Sequence, residues 1–293
     1  MPVDDESKAT RLRLLTSAAG QLDQAGVEHP RRNAEWLLAD VLGCDRAHLY
    51  AYARAQVAPS AARRFERAVA RRAAHEPLQY IIGHTDFCGL RLTVTPAVLI
   101  PRPETEELAE RVLQRLEGME APRVLDVGTG SGCIALAIKH HCPGAVVHAC
   151  DVSADALHLA QQNASTLELD VAFFEADLLS EGFADAVASP YDAVVSNPPY
   201  VPDAEYDALA PEVRDHEPST ALRTGAAPLR YYRALAQRHA AIAAPGGLLA
   251  VEAHTDHASA VATCFAEHGL TEATVHRDLS GLARMVEARV PIR

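Results

Sequence analysis

The chain has 293 residues, 48% of them hydrophobic, enough to bury the core of one large domain or two smaller ones. Its 27 Lys and Arg against 39 Asp and Glu give a formal charge of −12, which disfavours a protein that grips nucleic acid by neutralising phosphates. Six scattered cysteines without a C-x-x-C pair argue against a disulfide framework, and no apolar run approaches the ~20 residues of a membrane span.

The first six residues, Met1-Pro2-Val3-Asp4-Asp5-Glu6, are acidic and unlike a signal peptide, so a cytoplasmic protein with reduced thiols is expected. Residues 1–80 carry 12 basic and 10 acidic residues; the 15 basic and 29 acidic ones that remain leave residues 81–293 at −14. That imbalance points to an N-terminal unit with its own surface. Leu12, Leu15, Ala19 and Leu22 recur at helical spacing, with Gly26 as a stop. Ala34, Leu37, Leu38, Val41 and Leu42 form a second such face before Gly43. A third helix is expected from Pro59, with Ser60 as N-cap and Phe65 and Val69 inward. Its other face carries Arg63, Arg64, Arg67, Arg71 and Arg72, either solvated or a docking surface for an acidic partner.

Residues 77–100 read as a hairpin linker, because Leu90, Leu92 and Val94 alternate with polar residues after a turn at Gly89. Pro101-Arg102-Pro103-Glu104-Thr105-Glu106 then opens a helix, with proline and glutamates suited to its first turn. From Arg123 strands and helices alternate, as in a parallel sheet with crossovers. Strands are expected at 123–127, 146–150, 171–175, 191–196 and 248–252, and a final pair at 273–277 and 284–288. Helices are expected at 133–141, 155–164 after a Ser153 cap, 229–244 and 257–268. His254 and His257, three apart, are read as a surface pair on one helix face and not as metal ligands; no metal is expected.

Chemistry gathers at the strand ends. The first strand runs into Asp126-Val127-Gly128-Thr129-Gly130-Ser131-Gly132, where alternate glycines let the chain turn tightly and a ligand approach the backbone. Cys133 stands where a dinucleotide fingerprint would need spacing to a third glycine, so G-x-G-x-x-G fails. Asp151 ends the second strand, where a carboxylate can accept ribose hydroxyls. Asp177 follows the third, with Leu178 beside it, suited to an adenine amino group and ring. Ser196-Asn197-Pro198-Pro199-Tyr200 follows the fourth. There two prolines stiffen the loop, the Asn197 side chain and the Pro198 carbonyl offer acceptors, and Tyr200 offers an aromatic face. Such a rigid edge suits a planar group bearing an NH2.

These residues resemble the class I methyltransferase fold, a seven-stranded, mostly parallel α/β sheet with helices on both faces. With Pro77-Leu78-Gln79-Tyr80-Ile81 and Leu99-Ile100-Pro101-Arg102-Pro103-Glu104-Thr105-Glu106, they are similar in order to the release-factor glutamine methyltransferases, over about residues 10 to 290. The stretches Ala221-Leu222-Arg223-Thr224-Gly225-Ala226-Ala227-Pro228-Leu229, which lacks a second glycine before the helix, and Ser280-Gly281-Leu282-Ala283-Arg284 depart from that family's pattern.

The resemblance implies a helical substrate-docking domain over 1–76, the hairpin over 77–100 and a catalytic domain over 101–293. It also implies a sheet closed by an antiparallel terminal strand, and methylation of the side-chain amide (N5) of the glutamine in the Gly-Gly-Gln motif of class I release factors. The cofactor implied is S-adenosylmethionine, leaving S-adenosylhomocysteine. Gly128, Thr129, Gly130, Ser131, Gly132, Asp151, Asp177, Leu178 and Asn197 would contact it. Asn197, Pro198, Pro199, Tyr200 and Arg102 would contact substrate, with Asn197, Pro198 and Tyr200 catalytic. No direct nucleic-acid or membrane partner is expected.

Asn-Pro-Pro-Tyr also occurs in adenine-N6 methyltransferases of DNA or RNA. That alternative needs a base-flipping pocket and phosphate contacts, which the −14 half disfavours. Ribosomal-protein glutamine methyltransferases diverge in the Pro-Arg-Pro-Glu segment. An inactive partner-binding paralogue is disfavoured by the intact motifs.

Overall fold

Apolar spacing punctuated by Gly and Pro builds the first eighty residues into helices. A computed structural model of the chain describes residues 9–187 and 190–292; the acidic stretch 1–6 lies outside the described residues. The helix Arg11–Gln24 is capped by the Thr10 hydroxyl and buries Leu15, Ala18 and Leu22. Leu12 is 45% exposed, so the inward face is rotated from the Leu12–Ala19 line the sequence suggested. Pro30–Leu42 starts with proline in its first turn and ends at Gly43, whose φ of +62° suits glycine.

The helix expected third is the fourth, because a short helix, Arg46–Ala51, capped by Asp45, precedes it. It spans Pro59–Ala73 with Ala58 at the N-cap and proline in the first turn, so Ser60 lies inside the helix and caps nothing. The arginine stripe is not uniform either. Arg63 and Arg67 are exposed, Arg64 donates to the Val41 carbonyl (2.9 Å), and Arg71 pairs with Glu76. Arg72 is 5% exposed and donates to Asn33 Oδ1 (2.8 Å), the Glu76 carbonyl (3.0 Å) and Glu212 Oε2 (2.5 Å). Buried Glu35 ties the same unit together: it accepts from Arg31 (3.1 Å), Arg46 (2.9 Å) and the Tyr50 hydroxyl. Burial alone would raise its carboxyl, and those three hydrogen bonds hold it below the ordinary value.

The helix Leu78–Ile82 stands where the sequence suggested the start of the hairpin, and it ends at Gly83. Two units divide there: one runs to Gly83 and takes in Ala210–His216, the other is His84–Leu209 with Glu217–Arg293. The hairpin strands β1 (His84–Phe87) and β2 (Leu90–Thr93) belong to the second unit and turn through Cys88 and Gly89. Both turn residues have positive φ, +46° and +80°, as a twist-matched two-residue loop requires.

The second unit holds β3 (Arg123–Val127), β4 (Val146–Asp151), β5 (Ala172–Glu175), β6 (Tyr191–Ser196), a two-residue β7 (Val201–Pro202), β8 (Arg223–Gly225), β9 (Ala243–Glu252), β10 (Thr271–Arg277) and β11 (Ala283–Arg289). Seven of these form one sheet in the order β10-β11-β9-β6-β3-β4-β5. The pairs among β9, β6, β3, β4 and β5 are parallel, and β11 is antiparallel to both neighbours. Helices cover both faces, which explains strands that read as unbroken apolar runs. Leu125, Val127, Val194, Leu249 and Val251 face one core, while Val124, Ala193, Val195, Leu248 and Ala250 face the other.

The helix expected over 229–244 ends at Ile242, and the chain turns at once into the strand that holds Pro245-Gly246-Gly247. Those residues are a bulged start to β9. Gly246 N donates to Val290 O, Val290 N donates to Gly247 O, and a Cβ on Gly247 would sit 2.8 Å from the Ala244 carbonyl. Within the departing stretch at 221–229, Arg223–Gly225 forms β8, which pairs with β7. The six cysteines are free thiols. Among the described residues no helix is long and apolar enough to cross a membrane.

Candidate active site

Strand order reverses between β3 and β6, where successive crossovers leave in opposite directions and open sheets of this kind leave a crevice at the carboxyl ends. Register brings those ends level: Val127 lies beside Cys150 and Ser196, Asp151 beside Glu175, and Ser196 beside Val251. A cleft opens there. Its lining includes Arg102, Gly128, Thr129, Gly130, Ser131, Asp151, Asp177, Leu178, Asn197, Pro198 and Pro199, so eleven of the thirteen residues singled out in the sequence meet in one place. Gly132 and Tyr200 are outside the lining.

The glycine loop is shaped from below by Asp126, which has 0% exposure. Its Oδ2 accepts from the Thr129 hydroxyl (2.6 Å) and from Ala135 N (3.2 Å), joining the loop to the first turn of the helix Cys133–His141. Burial pushes this carboxyl up to about 7, against those two hydrogen bonds. Gly128 N and Thr129 N donate to the Cys150 carbonyl at 2.8 and 3.0 Å, which stitches the loop to β4.

The glycines divide by task. A Cβ on Gly132 would lie 3.1 Å from Leu136 Cδ1 and 3.2 Å from Ala160 Cβ, so this glycine lets the loop pack on the helices. A Cβ on Gly130 would meet no protein atom within 4 Å, and Gly130 lines the cleft. Asp151 accepts from Gly130 N on one oxygen and Ser153 N on the other, both 2.9 Å. Its carboxyl is raised by burial, with the N–H groups of Ser153, Gly130 and Val152 opposing. Each oxygen keeps a lone pair for a further donor. Asp177 is exposed at the cleft, where its side chain caps Leu179 N (2.8 Å), and Leu178 is buried beside it.

Asn197 follows β6 directly, and Ser196 anchors the strand end by donating to the Val127 carbonyl (2.7 Å). Asn197 Nδ2 donates to Thr105 Oγ1 (3.1 Å), and the Thr105 hydroxyl donates to Glu252 Oε2 (2.6 Å). The other carboxylate oxygen of Glu252 takes the Tyr200 hydroxyl (3.2 Å). Tyr200 thus packs behind the cleft, its ring 6.2 Å from that of His254. Its phenol is raised, by burial first and by Glu252 second. The His254 and His257 rings lie 5.5 Å apart, tilted by 46°, but precede the helix Ala258–Glu267, so they share a turn and not a helix face. Across the cleft Arg102 donates to buried Glu217 (2.6 Å), which also accepts from Ile100 N (3.4 Å).

Four residues were missed in the sequence: Thr105, Asp126, Glu217 and Glu252. Glu252 had a signal, since it ends the fifth parallel strand just as Asp151 ends the second. Asp126 sat inside the glycine motif with a buried-strand neighbour on each side. Glu217 lies in an irregular stretch and had none.

Residues 13–83 match the family model described as the PrmC N-terminal domain, and residues 105–216 match the methyltransferase small domain. The chain is 41% identical over 278 residues to the release factor glutamine methyltransferase of Geobacter sulfurreducens, covering 95% of this chain and 96% of that one. It is 41% identical over 276 residues to the protein of the same name from Deinococcus radiodurans, covering 94% and 97%. Among solved structures, a methyltransferase from Pyrococcus furiosus aligns with a TM-score of 0.51 at 15% identity over 70% of this chain and 90% of that one. A Thermus thermophilus 16S rRNA N2 G1207 methyltransferase in complex with AdoMet and guanosine aligns at 0.50 and 20% identity, over 71% and 49%. At those identities the likeness establishes a shared methyltransferase fold.

Proposed function

The chain belongs to the release factor glutamine methyltransferase family and is an enzyme that methylates a release-factor glutamine, and we propose that it does so in this cleft, with S-adenosylmethionine as donor and the side-chain amide of a Gly-Gly-Gln glutamine as acceptor. The observation that carries this reading is the meeting of the Gly128–Gly130 backbone, Asp151, Asp177 and the Asn197-Pro198-Pro199 edge in one cleft.

The residues present fit the cofactor. Gly130 leaves open space where a side chain would stand, and the Asp151 oxygens keep lone pairs for ribose hydroxyls. Asp177 is suited to the adenine amino group, and Leu178 to the face of the base. When bound, S-adenosylmethionine supplies an electrophilic sulfonium methyl.

An amide nitrogen is a poor nucleophile because its lone pair is delocalised, so the protein's task is positioning. Asn197 Oδ1 and the Pro198 carbonyl accept the two hydrogens of the glutamine NH2. The two prolines fix those acceptors before substrate arrives, which gives the advantage of a pre-oriented reaction. Acceptors that pull on both hydrogens also build electron density on nitrogen as the new bond forms. The proton leaves afterwards, when the methylated nitrogen is more acidic. Arg102 is suited to the release-factor backbone at the cleft mouth, and the helical unit to holding the factor's body. The reaction would take place in the cytoplasm, where class I release factors act.

The test is transfer of label from S-adenosylmethionine to a purified class I release factor, with a DNA duplex and ribosomal protein offered in parallel. Label in the factor alone supports the reading. Label in the DNA would mean that the same acceptors serve an adenine NH2.

A further inference from the structure

An asparagine amide can sit in two orientations of almost equal shape, with its oxygen and nitrogen exchanged. Only one of them offers an acceptor to an NH2 group; the other turns donors toward donors. The structure contains a device that chooses between them. Glu252, at the carboxyl end of β9, has 0% exposure, and Thr105, on the helix Pro103–Leu116, has 2%. Thr105 has one hydroxyl proton, and the Glu252 carboxylate takes it at 2.6 Å. Thr105 Oγ1 is then left as an acceptor, and Asn197 meets it with Nδ2 at 3.1 Å. Oδ1 must point the other way. The second Glu252 oxygen accepts the Tyr200 hydroxyl, so the carboxylate is held from both oxygens, and its main-chain carbonyl takes the Tyr232 hydroxyl at 3.0 Å.

We propose that Glu252 and Thr105 are positioning residues for methyl transfer, which fix the amide of Asn197 with its oxygen facing the substrate nitrogen. This deepens the reading of the cleft as a glutamine methylation site and rests on it. Neither residue needs to touch substrate through its anchoring oxygen. The relay runs from a buried charge through one hydroxyl to the group that does.

The relay has a polarity, and the polarity depends on the charge of Glu252. Facing that residue are Thr105 and Glu104 from the helix Pro103–Leu116, Tyr200 from the loop after β6, Tyr232 from the helix Arg230–Ile242, and Arg284 from β11. Burial is the largest influence on it; the Thr105 bond opposes that, Glu104 adds to it, and the Tyr200 bond and Arg284 oppose it, leaving the group at about 7. Once protonated, Glu252 no longer requires a proton from Thr105. The Thr105 hydroxyl is then free to turn its proton to Asn197, and the amide orientation is no longer enforced. The rate of methyl transfer should therefore fall as Glu252 takes up its proton.

The experiment measures kcat for methylation of a class I release factor, with factor and cofactor saturating, from about one unit below to two above the Glu252 value. Wild type, Thr105→Val and Thr105→Ser are compared, with thermal midpoints and cofactor affinity as controls. The wild type should lose rate on the acid side. Thr105→Val keeps the shape and removes the hydroxyl. It should lower kcat by about 10–10²-fold, the scale of a misplaced reacting group, and should abolish the acid limb. Thr105→Ser should recover most of the rate and the limb.

A Thr105→Val enzyme with wild-type kcat, or one that keeps the acid limb at the same midpoint, would overturn the inference. A limb that survives in the valine variant would belong to another group, such as Asp126. Should the valine variant fail to fold, the wild-type profile decides: a kcat flat across that interval also overturns it. An inactive wild type would instead sink the reading of the cleft on which this inference rests.

Discussion

Replacing Gly132 and Gly130 by alanine, one at a time, separates packing from ligand approach within a single loop. Gly132 has φ +84°, a conformation that costs an L-residue about 1–2 kcal/mol. Its new Cβ would also press on Leu136 and Ala160, both fully buried, at 3.1 and 3.2 Å. Overpacking of that kind costs about 1–3 kcal/mol. The sum, about 2–5 kcal/mol, corresponds to a fall of roughly 4–20 °C in the midpoint of a domain of this size. Gly130 has φ +56° and no neighbour within 4 Å of its Cβ, so alanine there should cost only about 1 kcal/mol of stability. The same methyl stands in the cleft, and a clash with the cofactor worth about 1–3 kcal/mol weakens binding by roughly 10–10²-fold. Thermal unfolding of the ligand-free proteins, with calorimetric titration of S-adenosylmethionine, reads both numbers. Gly130→Ala should be the weak binder and Gly132→Ala the unstable one. The reverse order, or a Gly130→Ala protein with undiminished affinity, would refute this assignment of the loop.

Asn197→Ala should lower kcat by about 10²–10³ with little change in thermal midpoint, because it removes a preorganised acceptor from a half-buried loop; steady-state kinetics checks it. Burial pushes Asp126 and Glu252 to about 7 from ordinary values of 3.8 and 4.5. The folded chain therefore holds protons that the unfolded chain has released, and stability falls as pH rises through that interval, by about 3–4 kcal/mol for each group. Urea titrations at about pH 5 and pH 8 should show about 2–3 kcal/mol of that loss for each group, and Glu252→Gln should remove its share. Arg72→Ala should destabilise the helical unit by about 2–4 kcal/mol, since it strips a buried cation from Asn33, the Glu76 carbonyl and Glu212; circular dichroism during denaturation follows it.

The sheet was legible because its signals are local. Leu125, Val194 and Leu249 sit in short apolar runs; those of Val194 and Leu249 stop at the polar residue that ends the strand, and that of Leu125 runs through Asp126 to Val127 and the glycine loop. The gathering of Gly128, Asp151 and Asp177 in one cleft was legible for the same reason, since they stand at strand ends in order. What escaped depended on contacts far apart in sequence. Thr105 and Glu252 are 147 residues apart, and Arg102 and Glu217 are 115 apart. Tyr200 shows the same limit: its hydroxyl donates to Glu252, 52 residues away, a contact its local motif does not carry. In the helical unit, Ser60 has the residue type of a cap, but Pro59 already supplies the first turn and the cap position falls at Ala58.

The most direct measurement is mass analysis of the Gly-Gly-Gln peptide of a class I release factor after incubation with the purified enzyme and S-adenosylmethionine. The same factor with that glutamine replaced by alanine serves as its partner sample. One added methyl on the glutamine side chain, and none anywhere in the alanine factor, is the result the cleft geometry predicts. A methyl found elsewhere on both factors, or on neither with the enzyme folded and cofactor bound, would contradict it.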